Sequence, residues 1–224
     1  MKRIGLILMI ISAIIISYSG IKIYRASKSI ESIGEEPNRI NNTGTIEEQI
    51  IISDTKTTPK VEKTENNDVE INIEEEKVMS DELNRHQIGE TVAKLKIPKI
   101  GRQYTVYWGT DDKTLDKGVG MYVSKWTVTP DFVGHVVMSG HRDTVFAELG
   151  MLEVGDILEI YYRGQVYQYK INDIWITTPD DRTVIVDKDE SVLTLTTCYP
   201  FDYIGAAPKR YIVQSKKIGN TSNE

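Results

Sequence analysis

Hydrophobic and polar positions divide the chain into three stretches. An uncharged apolar block runs from Ile4 to Ile21, a polar stretch follows to Arg85, and from Thr91 onward short apolar runs alternate with turn-forming residues. As a helix the first block is about 27 Å long, close to the thickness of a bilayer's hydrocarbon core. Lys22 and Arg25 follow it, where their long side chains reach the interface. Residues 1–28 therefore read as a single membrane anchor. A cleaved signal peptide is the rival reading because Ser17-Tyr18-Ser19 is a small-x-small triplet, although the block runs long for a signal peptide and lacks an A-x-A site. Lys2 and Arg3 on one side and Lys22, Arg25 and Lys28 on the other leave the charge bias near a tie.

The third stretch has the period of β-structure. "TVAKLKIP", "YTVYWG", "GHVVMSG", "DILEIYY", "QVYQYKINDIWITTP", "SVLTLTT" and "RYIVQSK" are strand candidates, rich in Val, Ile, Tyr and Thr and bounded by Gly, Pro and Asp. "YYRGQVYQY" predicts a hairpin turning at Gly164. Only "TDDKTLDKG" and "TVFAELGML" look helical, and both are short. Without strand–helix alternation of the needed length, a small closed or nearly closed all-β barrel fits better than a doubly wound fold. There is no internal repeat, zinc spacing, phosphate loop or dinucleotide fingerprint.

Composition places the core. All three Trp, all three Phe and ten of the twelve Tyr lie between Tyr104 and Tyr211, and no aromatic residue occurs from Ala26 to Gln103. From Ser29 to Arg85 there are fifteen acidic and six basic side chains, so residues 29–85 read as a solvated, self-repelling linker. Within it "IEEQIIIS" is a candidate transient strand or helix, and "SDELNRHQIGE" starts on a plausible N-cap. The folded domain is then residues 86–217, with a tail at 218–224. The net charge of −6 belongs mostly to the linker and argues against a nucleic-acid partner.

One cysteine cannot form an intramolecular disulfide, and a free thiol outside the cytoplasm is an oxidation liability. Cys198 ends "SVLTLTTC", where alternation puts Leu193 and Leu195 on one face and Val192, Thr194, Thr196 and Cys198 on the other. With the leucines inward, the sulfur faces a groove; the alternative is a small buried hydrophobe. Pro200 stops the strand just beyond. His141 emerges where "HVVMSG" breaks into a loop, a common setting for catalytic groups and equally for a histidine bonded to a backbone carbonyl. Arg210 opens "RYIVQSK", pointing with Ile212 away from Tyr211 and Val213. It is a solvated strand charge unless the hairpin around "DYIGAAP" brings it beside Cys198. His135 and His86 have no comparable setting, and Asp143, Asp180 and Asp181 read as loop charges, not metal ligands.

Together the three residues form a chemical set. A thiolate is a strong nucleophile at neutral pH when positive charge lowers its pKa or a base takes its proton. Histidine does both in turn, and an arginine fork donates to a carbonyl and to the oxyanion formed from it. Cys, His and Arg suffice for acyl transfer through a thioester, with no metal or organic cofactor.

"TLTTCYPF" followed by "APKRYIV" and preceded by "GHVVMSGHRDTVFAELGMLEVGD" resembles the sortases, most closely the class D branch of Gram-positive spore formers; the match covers roughly Glu90 to Lys217. The resemblance implies an eight-stranded β-barrel on the outer face of the cell membrane, held by a single-pass anchor with its N-terminus inside. It implies cysteine transpeptidase activity on surface proteins bearing an LPxTG-like C-terminal sorting signal, with a peptidoglycan-precursor amine or a pilin lysine as acceptor. His141, Cys198 and Arg210 match the family's catalytic positions, and Thr197 matches a position that helps hold substrate or oxyanion. Relatives commonly carry Asn where His135 stands, which argues against a catalytic His135. A cell-wall cysteine peptidase would use the same Cys/His pair, and a non-catalytic tethered β-domain would use Cys198 as packing.

Overall fold

Side chains that alternate in the sequence alternate between core and surface in the fold. In the computed structural model, which describes residues 9–13, 17, 20, 21, 24, 27–32, 85–203 and 205–222, one sheet contains every strand. The strands are β1 (Ile30–Ser32), β2 (Thr91–Ile97), β3 (Arg102–Trp108), β4 (Val119–Met121), β5 (His135–Ser139), β6 (Ile157–Tyr162), β7 (Gln165–Thr177), β8 (Val192–Tyr199) and β9 (Lys209–Ser222). Their order is β1-β3-β2-β6-β7-β9-β8-β5-β4, and β3 also pairs with β4. Strands β2 to β9 thus make a closed eight-stranded barrel, which removes the unpaired edges an open sheet would present.

Ala93, Leu95 and Ile97 of β2, Tyr104, Val106 and Trp108 of β3, and Leu158, Ile160 and Tyr162 of β6 all point inward and are buried. Burying a side chain of the larger of these sizes contributes about 1.5–3 kcal/mol relative to leaving it exposed. The β6–β7 hairpin turns on Arg163 (φ 49°) and Gly164 (φ 74°), two successive left-handed residues that match the twist of the strands they join.

The barrel closes at a parallel pairing, with Val106, Tyr107 and Trp108 opposite Val119, Gly120 and Met121. Gly120 is required there: a Cβ at this position would run into the backbone carbonyl of Gly109. Strand β4, three residues long, has no alternation to betray it in the sequence.

Strand β1 comes from the stretch read as linker and pairs antiparallel with Arg102–Tyr104, on the edge of β3 that β4 occupies further along. Pairing rather than local sequence holds it. Thr105 N–H donates to Ser29 O at 2.9 Å, and Glu31 accepts from Gln103 at 2.7 Å. The candidate element "IEEQIIIS" and much of the apolar block Ile4–Ile21 lie outside the described residues. Among the described residues no helix is long and apolar enough to cross a membrane.

Of the two helical candidates, the first gives α1 (Asp112–Leu115), capped by Asp111, whose side chain accepts from the Lys113 and Thr114 amides. The second forms turns and a 3-10 turn at Leu149–Met151. There Val145, Phe146, Leu149 and Leu152 are all buried, and packing them into the core wins over the weak helical preference of a segment interrupted by Gly150.

Candidate active site

Strands β8 and β9 are antiparallel, and their register sets Cys198 directly opposite Arg210. The twelve-residue interval in the sequence is therefore a long hairpin that returns the arginine to the cysteine. Leu193 and Leu195 enter the core as alternation requires, and Cys198, the last residue but one of β8, is partly exposed. Val192 and Thr194, on the opposite face from the leucines, are buried as well.

Cys198 and Arg210 line a groove of about 520 Å³ together with His141 and Thr197. Asp112 and Leu115 of α1 belong to one side, and Pro179, Asp181 and Val184 of the β7–β8 connection to another. His141 follows β5 after one residue, and its carbonyl accepts from the Phe146 amide at 3.0 Å, which folds the post-strand loop back on itself. Its Nε2 lies 3.7 Å from Asp116 Oδ1 at the end of α1, an ion pair when the ring is protonated. Among the described residues Arg210 makes hydrogen bonds only through Nη1, donating to Lys209 O at 3.0 Å and Ala207 O at 3.5 Å. The Nε and Nη2 edge of the fork remains for a ligand oxygen.

Two further contacts tie these elements together. Thr197, 3% exposed, donates its hydroxyl to Gly140 O at 2.7 Å, joining the residue before the cysteine to the residue before the histidine. Arg142 donates from Nη2 to Tyr203 O at 2.6 Å and Gly205 O at 2.8 Å, and its guanidinium sits 5.6 Å from the Tyr203 ring centroid. The segment after His141 thereby clamps the loop between Cys198 and Arg210. Sequence reading passed over Asp116 and Arg142; the adjacency of Arg142 to His141 was the only local signal for either.

Asp181 lines the groove and accepts from Thr177 and Thr183, and these bonds hold its carboxyl below the ordinary carboxylate range. The other histidines lie elsewhere. The His86 ring lies 5.1 Å from that of Trp108, tilted by 54°, and its Nδ1 sits 3.3 Å from Glu90. His135 is fully buried between a strand and the β7–β8 connection.

The family model for the sortase domain matches residues 95–218, and the chain belongs to the sortase family. Its likenesses include several to the class D branch. Sortase D of Bacillus subtilis is 43% identical over 133 residues, 59% of this chain; the match spans 66% of that protein, just under two thirds of its length. The solved catalytic domain of Bacillus anthracis SrtD is 57% identical, with a TM-score of 0.56, covering 62% of this chain and 95% of that one. A Clostridium perfringens Sortase D5 transpeptidase is 31% identical with a TM-score of 0.55, covering 66% and 89%.

Proposed function

We propose that the protein is a cysteine transpeptidase that cuts an LPxTG-like sorting signal between Thr and Gly and joins the new Thr carbonyl to an amine, from a peptidoglycan precursor or a pilin lysine. The observation that carries the reading is the pairing of Cys198 with Arg210 at the edge of a groove that His141 also lines.

In this reading the Cys198 thiolate attacks the Thr carbonyl carbon, and the electron pair moves to the carbonyl oxygen. Arg210 donates to that oxyanion through its free edge. The intermediate collapses as the C–N bond breaks, and protonated His141 gives its proton to the leaving Gly amine. The thioester stays on Cys198. An acceptor amine then attacks it, neutral His141 takes the amine's proton, and the Cys198 thiolate leaves. Asp116, 3.7 Å away, pairs with His141 in its charged form, before the first half and after the second. Thr197 keeps the strand end and the His141 loop in mutual register, its one hydroxyl proton being given to Gly140. The N-terminal apolar block serves as a single-pass anchor that holds the groove on the outer face of the cell membrane.

Incubation with LPxTG-like peptides and candidate amines, followed by mass spectrometry, tests the reading. Expected is a product in which the Thr carbonyl carries the added amine in place of Gly. Release of free acid alone at saturating amine would make the protein a hydrolase, and an uncut peptide set would remove the transpeptidase reading.

A further inference from the structure

One buried titratable group has no part in the chemistry above. His135 opens β5 and is 0% exposed, and both of its ring nitrogens are engaged. Nδ1 lies 2.8 Å from Val186 O, and Nε2 lies 2.7 Å from Thr194 Oγ1. A carbonyl only accepts, so Nδ1 carries the proton; Nε2 is then the acceptor and takes the Thr194 hydroxyl proton. Thr194 Oγ1 in turn accepts from Gln214 Nε2 at 3.4 Å. The result is a one-way relay from β9 through β8 and β5 to the β7–β8 connection.

What the relay ends on gives it meaning. Val186 belongs to the stretch between Thr177 and Val192, and that stretch supplies Pro179, Asp181, Val184 and Ile185 to the groove. Local bonds such as those from Thr183 to Asp181 shape its first part. Among the described residues, the bond from His135 is the one hydrogen bond that fastens residues 182–189 to a strand of the barrel. Val192 and Thr194, on the face of β8 away from the two leucines, are both buried, and His135 reaches the second of them.

We propose that His135 is a positioning residue for substrate: it fixes the β7–β8 connection as a wall of the groove, acting through Val186 on Ile185 and Val184, and so sets the grip on the part of the peptide lying against that wall. It touches none of the reacting atoms. The proposal rests on the transpeptidase reading for the identity of the ligand as a peptide, and on geometry alone for the hold on the connection.

The test compares two substitutions in the full chain. In His135→Asn the amide nitrogen falls near the place of Nδ1 and still reaches Val186 O. In His135→Gln it falls near the place of Nε2, which leaves Val186 O without its donor. Three quantities are measured: amide hydrogen exchange of residues 178–191, kcat and KM for an LPxTG-like peptide, and the rate at which iodoacetamide alkylates Cys198. Expected for His135→Gln is about a tenfold rise in exchange of 178–191 and in KM, the scale of one lost hydrogen bond, with kcat and alkylation within about twofold of wild type. His135→Asn stays close to wild type in all three. Equal behaviour of the two variants, or exchange that rises across the whole barrel instead of in 178–191, would overturn the proposal. A wild type that turns over no peptide would overturn the transpeptidase reading; the exchange difference between Gln and Asn would still decide the hold on the connection, for or against.

Discussion

Thr197 and Gly140 are joined by a 2.7 Å hydrogen bond between side chain and backbone, each the immediate neighbour of a residue assigned to the chemistry. Together with the backbone bond from the Gly140 amide to Thr196 O at 3.3 Å, it sets the separation of the Cys198 strand end from the His141 loop. Thr197→Val keeps the shape and leaves Gly140 O without its donor, which costs about 1–3 kcal/mol for a buried acceptor. Thermal melts should show that loss, peptide acylation should slow, and Thr197→Ser should recover both. Wild-type acylation by the valine variant would remove Thr197 from the site's architecture.

Cys198→Ala should abolish acyl-enzyme formation with little change in melting temperature, because the sulfur sits at a partly exposed strand end and not in the core. Intact-mass measurement after mixing with peptide checks it; a variant that still cleaves would need another nucleophile.

For Arg210, the distinction is between charge and geometry. Lysine supplies the charge but not the planar fork. Arg210→Lys should lower single-turnover acylation by about 10² to 10³, the usual effect of losing one oxyanion donor, while the melt stays near wild type. Near-normal acylation would reduce the residue to a general electrostatic role.

Stability should fall with acid through His135. Burial, the largest influence, pushes its pKa below the ordinary value of 6.5 and Lys188 adds to this, while the bond to Val186 O and the Asp187 carboxylate oppose it. The unfolded ring takes a proton near pH 6.5 and the folded ring only at lower pH, so the unfolded state binds more protons in that interval. The neutral ring's contribution is therefore complete above that pH and is lost as pH drops below it. Urea unfolding at pH 7.5 and pH 5 should show a larger loss for wild type than for His135→Asn, which cannot titrate; equal losses would assign the acid sensitivity to other groups.

Gly120→Ala tests the barrel's closure. The added methyl meets the Gly109 carbonyl at the β3–β4 seam, and overpacking of this kind costs about 1–3 kcal/mol. A lowered melting temperature is expected; an unchanged one would show that the seam can widen without cost.

Alternation exposed much of this architecture to reading in advance. β2, β3 and β6 each present period-two runs that the barrel uses as written, β8 keeps its leucines inward, and "RG" announced the hairpin at Arg163–Gly164. The opposition of Cys198 and Arg210 was legible because a hairpin needs nothing from distant parts of the chain. What escaped was held by distant partners. β1 and β4 exist because β3 offers an edge. The burial of Thr194 depends on a histidine 59 positions away. Asp116 reaches His141 only after β4 and β5 have folded between them. The failed helix at "TVFAELGML" is a contest between local preference and four apolar side chains drawn into the core, and a window of sequence contains only one of the contestants.

Strand β1 alters what the acidic stretch can do. The chain is moored to the barrel at Ile30–Ser32 before residues 33–84 begin, and it is back on the barrel by the Gly89 amide, which donates to Trp108 O at 2.7 Å. Both ends of that stretch are fastened to one body. It is therefore no leash: lengthening or shortening it leaves unchanged how far the groove stands from whatever precedes Ser29. If the apolar block anchors the chain as proposed, the reach of the groove from the membrane depends on the short segment between that block and β1, not on residues 33–84.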